Sequence, residues 1–111
     1  METTRFKDWG VSLMQFARNV HFQIKIGKEK EFTTLFENEV IPVLRKQSGF
    51  QNELTLVNPD GALGISLWEN RKSAEAYQTS TYPQILAKLN PVIVGTPTVK
   101  TYDVTATTLP A

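Results

Sequence analysis

The sequence has no cysteine, which excludes disulfides, thiolate metal sites and a cysteine nucleophile. A chain of 111 residues can fold without such staples. Histidine occurs once, at His21, so neither HExxH nor CxxC is present, and GxGxxG, GxSxG and GxxxxGK[ST] are missing as well. Charge of one sign is also scarce. Lys and Arg number 12 against 11 Asp and Glu, and no run of like charge exceeds two residues, so there is no footprint for nucleic acid or an anionic membrane. Long apolar runs are absent too: the stretch 11–17 is interrupted by Ser12 and Gln15, a poor signal peptide and far too short to cross a bilayer. The expectation is a cytoplasmic protein whose partner is a small apolar or aromatic molecule.

What is present suffices for one core, with 41% hydrophobic residues and 10% aromatics. Residues 1–18 read as an N-terminal extension whose Trp9, Leu13 and Phe16 need a packing site, and Met14 is a second possible start of the chain. Residues 19–104 form the domain and 105–111 a tail. Val20, Phe22, Ile24 and Ile26 alternate with His21, Gln23 and Lys25, the period of a strand with one apolar face. Phe32, Leu35, Phe36, Val40, Val43 and Leu44 then line one stripe of a helix over residues 28–47. Pro42 falls inside it and removes a hydrogen bond at a cost of roughly 3 kcal/mol. Burial of the stripe, at about 1.5 to 3 kcal/mol per side chain, outweighs that loss, so one kinked helix is expected. Gly49 supplies a left-handed stop, with Phe50 packing back on the last turn.

Residues 51–57 and 62–68 alternate on either side of Asn58-Pro59-Asp60-Gly61, a hairpin turn. The second of these strands is bulky on one face (Leu63, Ile65, Leu67) and small on the other (Ala62, Gly64, Ser66) up to Trp68. Asn70 can cap a helix that carries Ala74 and Tyr77 inward, until Tyr82-Pro83 breaks it. A short helix with Ile85, Leu86 and Leu89 follows, then a connection over 90–97 and a Thr-rich strand over 98–104. The order βαββαβ predicts an α+β, ferredoxin-like split-βαβ fold, an antiparallel four-stranded sheet with both helices on one face. The other face, largely uncharged, predicts a second copy of the chain against it.

Ser48-Gly49-Phe50 after a proline-kinked helix, the Asn-Pro-Asp-Gly hairpin, and Leu67-Trp68-Glu69-Asn70 opening a helix with Ser73-Ala74-Glu75-Ala76-Tyr77 together resemble the antibiotic-biosynthesis-monooxygenase-like (ABM) domain of the dimeric α+β barrel superfamily. The resemblance implies a homodimer with paired sheets and a pocket between sheet and helices in each subunit. It also implies, as one activity among its members, cofactor-independent oxidation of polycyclic phenols and quinols. In those members a tryptophan is joined by an asparagine, a tyrosine and a histidine. Trp68 keeps the tryptophan, whereas Gly64, Ala74 and Leu56 stand at the other three places. Haem-degrading members use a strand asparagine, a helix aromatic and an axial histidine. Here Asn19 or Val20, Tyr77 and about Ala87 occupy these places, and no axial histidine is present, so no haem or other cofactor is expected.

His21, the one side chain whose ordinary pKa suits proton transfer near neutrality, is the candidate catalytic base. Its parity is opposite to Val20 and Phe22, so it faces the barrel side if those face the helices. Trp68, Tyr77, Phe36, Asn52 and Tyr82 are the candidate pocket lining, and Glu53 and Asp103 are strand carboxylates expected at exposed or interface positions. Haem binding through a ligand other than histidine stands third behind two functions: cofactor-independent monooxygenation of an aromatic or quinol-type substrate, or a non-catalytic binding or structural dimer. These two differ in one observable, since the second predicts a pocket with no titratable group pointing inward.

Overall fold

A computed structural model describes residues 14–109. The places of Trp9 and Leu13 lie outside that range. β1 (Phe16–Phe22) is followed by α1 (Glu29–Leu35), a π-helical segment (Phe36–Val40) and α2 (Ile41–Arg45). The hairpin β2 (Phe50–Asn58) and β3 (Gly61–Trp68) comes next, then α3 (Arg71–Ser80), α4 (Tyr82–Leu89), a 3-10 turn (Asn90–Val92) and β4 (Thr98–Asp103). The four strands are antiparallel in the order β2-β3-β1-β4, the ferredoxin-like α+β topology.

β1 begins earlier than alternation of apolar residues predicts. Phe16, Arg18, Val20 and Phe22 all point toward the helices and are buried, while His21 is exposed on the opposite face. A charged residue at an inward position breaks the hydrophobic pattern without breaking the strand. The same strand ends at Phe22, sooner than expected: Ile24 makes only an isolated bridge to Ile93, and Ile26 is 99% exposed.

Residues 29–45 stay helical throughout, with right-handed angles at both junctions of the π segment. The Ile41 N–H donates to the Phe36 carbonyl five residues back. This wider turn accommodates the Pro42 ring, which would press on the Asn38 carbonyl in a regular α-helix. It also sets Phe36 and Val40 together against the sheet, both buried.

Gly49 adopts φ +81°, and a Cβ there would collide with the Ser73 side chain, so the helix stop and the start of α3 pack backbone to side chain. In the hairpin, the Asp60 N–H donates to Asn58 Oδ1 at 2.7 Å. Asn70 Oδ1 accepts from the Ser73 N–H at 2.9 Å and caps α3.

β3 directs its small face (Ala62, Gly64, Ser66) and Trp68 at the helices, and Leu63, Ile65 and Leu67 outward. The small residues leave the depth that a cluster of Phe22, Phe32 and Phe36 needs, with ring centroids 5.4 to 6.3 Å apart. The outward side of the sheet carries Leu54 (57% exposed), Leu56 (46%) and Tyr102 (49%) beside half-buried Leu63, Ile65 and Leu67. Among the described residues no helix is long and apolar enough to cross a membrane.

Candidate functional site between sheet and helices

The inner cavity lies between β1, β2 and β3 on one side and the helices on the other. Its walls are mostly apolar, from Val20, Phe22, Phe36, Val40, Leu44 and Ile85. Four groups with acid-base or charged chemistry interrupt them: Arg18, Glu53, Tyr77 and Tyr82, with Gly64 making room below. The enclosed volume is about 20 Å³, enough for roughly one water molecule.

Arg18 is 3% exposed, and its guanidinium carbon lies 5.0 Å from the Tyr77 ring centroid and 4.5 Å from that of Tyr82. Its side chain donates to Gln78 Oε1 and lies within hydrogen-bonding reach of the Tyr77 and Tyr82 hydroxyls. Burial lowers its pKa from the usual arginine range, partly offset by the two tyrosines and Glu53. Tyr77 and Tyr82 are pushed up by burial, with the Arg18 charge working in the other direction. The Tyr82 hydroxyl is fully buried beside the Arg18 guanidinium, and among the described residues it has no well-directed hydrogen-bond partner. It comes from the start of α4, where Pro83 forces the break after α3.

Glu53 reaches the cavity from β2 because its parity, shared with Thr55, is that of the inward face. Thr55 Oγ1 donates to Glu53 Oε2 at 2.7 Å. Burial nevertheless raises the carboxyl to about 7, against the Thr55 bond and the Arg18 charge. A Cβ on Gly64 would sit 3.2 Å from Glu53 Oε2 and 3.9 Å from Phe36 Cζ, so the missing side chain is what keeps this corner open.

Of the residues singled out from sequence, Phe36, Tyr77 and Tyr82 meet at the cavity. Trp68 stands behind them, fully buried, stacked on Tyr77 at 4.9 Å and donating from Nε1 to Ser66 Oγ at 2.9 Å. Asn52 is exposed on the opposite face, displaced from the inward set by strand alternation next to an irregularity in β2 between Phe50 and Asn52. His21 also opens on the outer face, in depressions shared with Leu63, Thr98 and Tyr102 on one side and Leu56 and Asp60 on the other. It is therefore absent from the walls of the inner cavity. Asp103 is exposed and 3.9 Å from Arg71.

Arg18 is a functional candidate absent from the sequence reading, and Glu53, expected at an exposed or interface position, lies instead on the cavity wall. Continuing the parity of Val20 and Phe22 two residues toward the N-terminus finds Arg18. Opposing the small face of β3 finds Glu53, since Glu53 pairs with Ser66 and Thr55 with Gly64. Among the described residues no group of three potential metal ligands is gathered.

This architecture recurs in solved structures. The monooxygenase ActVA-Orf6 of Streptomyces coelicolor, crystallised with nanaomycin D, superposes with a TM-score of 0.69 at 17% identity, over 88% of this chain and 94% of its own. The fold is that of ABM-like domains. NE2512 from Nitrosomonas europaea, of unknown function, gives a TM-score of 0.73 at 19% identity over 89% and 97% of the two chains. SnoaB, a cofactor-independent oxygenase from Streptomyces nogalater, gives 0.69 at 16% identity over 88% and 99%. No family model matches the sequence, and no curated protein does. The ABM-like fold is thus preserved at identities where side chains in the pocket are free to differ.

Proposed function

We propose that the inner cavity binds an electron-rich aromatic or quinol-type molecule and oxidises it with O₂ without a cofactor, with Glu53 as the proton acceptor. The observation that carries this reading is a carboxyl held at about 7 on the wall of an otherwise apolar cavity. A base poised near the working pH is what abstraction of a weakly acidic proton requires, and a non-catalytic pocket would have no need of it. The fold shared with ActVA-Orf6 and SnoaB supports the same reaction class.

For an anthrone-type methylene, Glu53 accepts the proton and the resulting carbanion gives an electron to O₂. The radical pair closes a C–O bond as a peroxide. The peroxide anion takes the proton back from Glu53, and loss of water from the hydroperoxide breaks the O–O bond, so that CH₂ and O₂ become C=O and H₂O. The substrate supplies the electrons, and the protein supplies the base and a dry pocket. His21 has no part in this, because it opens on the other side of the sheet.

Binding requires the cavity to widen from room for one water. Tyr82, at the break between α3 and α4, and Phe36, on the π segment, are the side chains placed to move. The outer sheet face is covered by a second copy in this reading, giving a homodimer. Leu54, Leu56, Ile65 and Tyr102 form the contact.

The test is oxygen uptake with a panel of quinols and anthrone-like phenols. Turnover by the wild type and a loss in Glu53→Gln supports the proposal. No uptake with any of them, or full activity in Glu53→Gln, leaves a binding protein in its place.

A further inference from the structure

We infer that Arg18 is the anchor for a single oxyanion on the ligand, with the Tyr82 hydroxyl as its second donor. The inference rests on the reading of the inner cavity as the ligand site and adds what that ligand must carry: a planar apolar body with one ionised oxygen.

The inner cavity carries an unbalanced charge. A guanidinium taken out of water loses several kcal/mol of hydration, which a carboxylate partner normally offsets. Arg18 is buried, and none of the ion pairs among the described residues includes it. Its neighbours are two phenol rings and the Gln78 amide, all uncharged. The carboxyl that shares its cavity, Glu53, is half protonated near neutrality and so supplies only part of a counter-charge. Among the described residues the cavity wall therefore holds a fixed cation without a full counter-charge.

An independent observation points to the same ligand group. Tyr82 is 5% exposed and lines the cavity, and although its oxygen lies against the Arg18 guanidinium, its own proton has no acceptor among the described residues. A buried donor left unmade costs about 1 to 3 kcal/mol. With its pKa raised, this phenol stays protonated and can only gain by donating to an acceptor. One oxyanion beside Arg18 meets both demands, as a charge-assisted acceptor for guanidinium and hydroxyl. Phe36 and Tyr77 put aromatic rings on the cavity wall, against which a planar body would lie once the cavity has widened.

Two acids share this chemistry, a phenol and an aryl carboxylate, and Glu53 distinguishes them. A phenol ionises on binding by passing its proton to Glu53, so its affinity rises with pH through about 7. A carboxylate arrives ionised and competes with the Glu53 charge for Arg18, so its affinity falls over the same range. The groups facing Glu53 are Arg18 from β1, Thr55 from its own strand, and Tyr77 and Tyr82 from α3 and α4.

The experiment titrates the full chain with 4-nitrophenol, benzoate and neutral benzamide, following the nitrophenolate absorbance and the heat of binding. The expected result is that at least one acid binds, that benzamide binds about tenfold more weakly than benzoate, and that bound nitrophenol ionises at lower pH than free. Arg18→Met, checked for folding by near-ultraviolet circular dichroism, loses about tenfold in affinity for the acid. If Arg18→Met does not fold, Tyr82→Phe reads the site alone, with a several-fold loss and no fall in melting temperature. Benzoate and benzamide binding alike, nitrophenol staying colourless when bound, undiminished binding in both variants, or no saturation by either acid would overturn the anchor. Oxyanion binding without oxygen uptake from any quinol supports the anchor and rejects the oxidation. Oxygen uptake that is unchanged in Arg18→Met does the reverse.

Discussion

Arg18 and Glu53 stand on either side of Ser66 in one transverse row of the sheet, on β1 and β2 with β3 between them. Two strand spacings separate their backbones by about 10 Å. The side chains share a cavity without forming an ion pair among the described residues. Between them, Ser66 Oγ accepts from Trp68 Nε1. The result is a cation and a titratable carboxyl on the wall of one small cavity, with room for about one water between the walls.

The rate of oxidation should follow the ionisation of Glu53. Oxygen uptake is expected to rise with pH through about 7 and level off above it. Glu53→Gln is expected to lose on the order of a hundredfold in kcat/KM, as for removal of a general base. A pH-independent residual rate in that variant is the accompanying signature.

Stability should move with pH in the opposite sense. The folded protein binds the Glu53 proton more tightly than the unfolded chain, whose pKa is near 4.5. That contribution is present in full below about 4.5 and is lost as pH rises to about 7. Because Glu53 is half-buried and partly solvated, the loss is on the order of 1 to 2 kcal/mol. Urea midpoints measured across this range should decline for the wild type and flatten for Glu53→Gln.

Tyr82→Phe removes a buried hydroxyl whose proton has no acceptor among the described residues. The variant should be as stable as the wild type or more stable, by up to about 1 kcal/mol, measured by thermal unfolding. A clear drop in stability would mean that the hydroxyl is satisfied in solution.

Gly64→Val should fill the corner beneath Glu53. The glycine does not need a left-handed backbone, so the strand tolerates a β-branched residue, but the new side chain meets Glu53 Oε2 and Phe36. Loss of ligand binding measured by calorimetry, with the fold retained by circular dichroism, is the expected outcome.

The outer face gives the last prediction. Sedimentation at micromolar concentration should report a dimer, and Leu56→Lys with Ile65→Lys should shift it to monomer by placing charge in an apolar contact. A wild type that sediments as a monomer rejects the homodimer.

Most of the fold was legible along the chain. Alternation in residues 51–57 and 62–68 around Asn58-Pro59-Asp60-Gly61 gave the hairpin, and the helical stripe from Phe32 to Leu44 gave a single helix across Pro42. Local periodicity reports such elements directly because it records which side of each one avoids water. The N-terminal edge of β1 was hidden by Arg18, since a pattern reader takes a charge for the end of an apolar face. The candidate site was less legible for a related reason. Polar groups in the pocket depend on which strand faces lie next to which helices, and His21 and Asn52 fall on the far side while Glu53 falls on the near one.

By itself the sequence determined the element order, the glycine at the helix stop and the division of β3 into a small and a bulky face, all set by local sterics and burial. Only the tertiary structure decided that the small face meets the helices, that a π turn carries Phe36 and Val40 to the cavity, and that Arg18 lies between Tyr77 and Tyr82 with Glu53 across the row. Those outcomes depend on residues up to 64 positions apart sharing one desolvated volume, as Arg18 and Tyr82 do. Their energies come from charge and burial in that volume, which no stretch of chain contains alone.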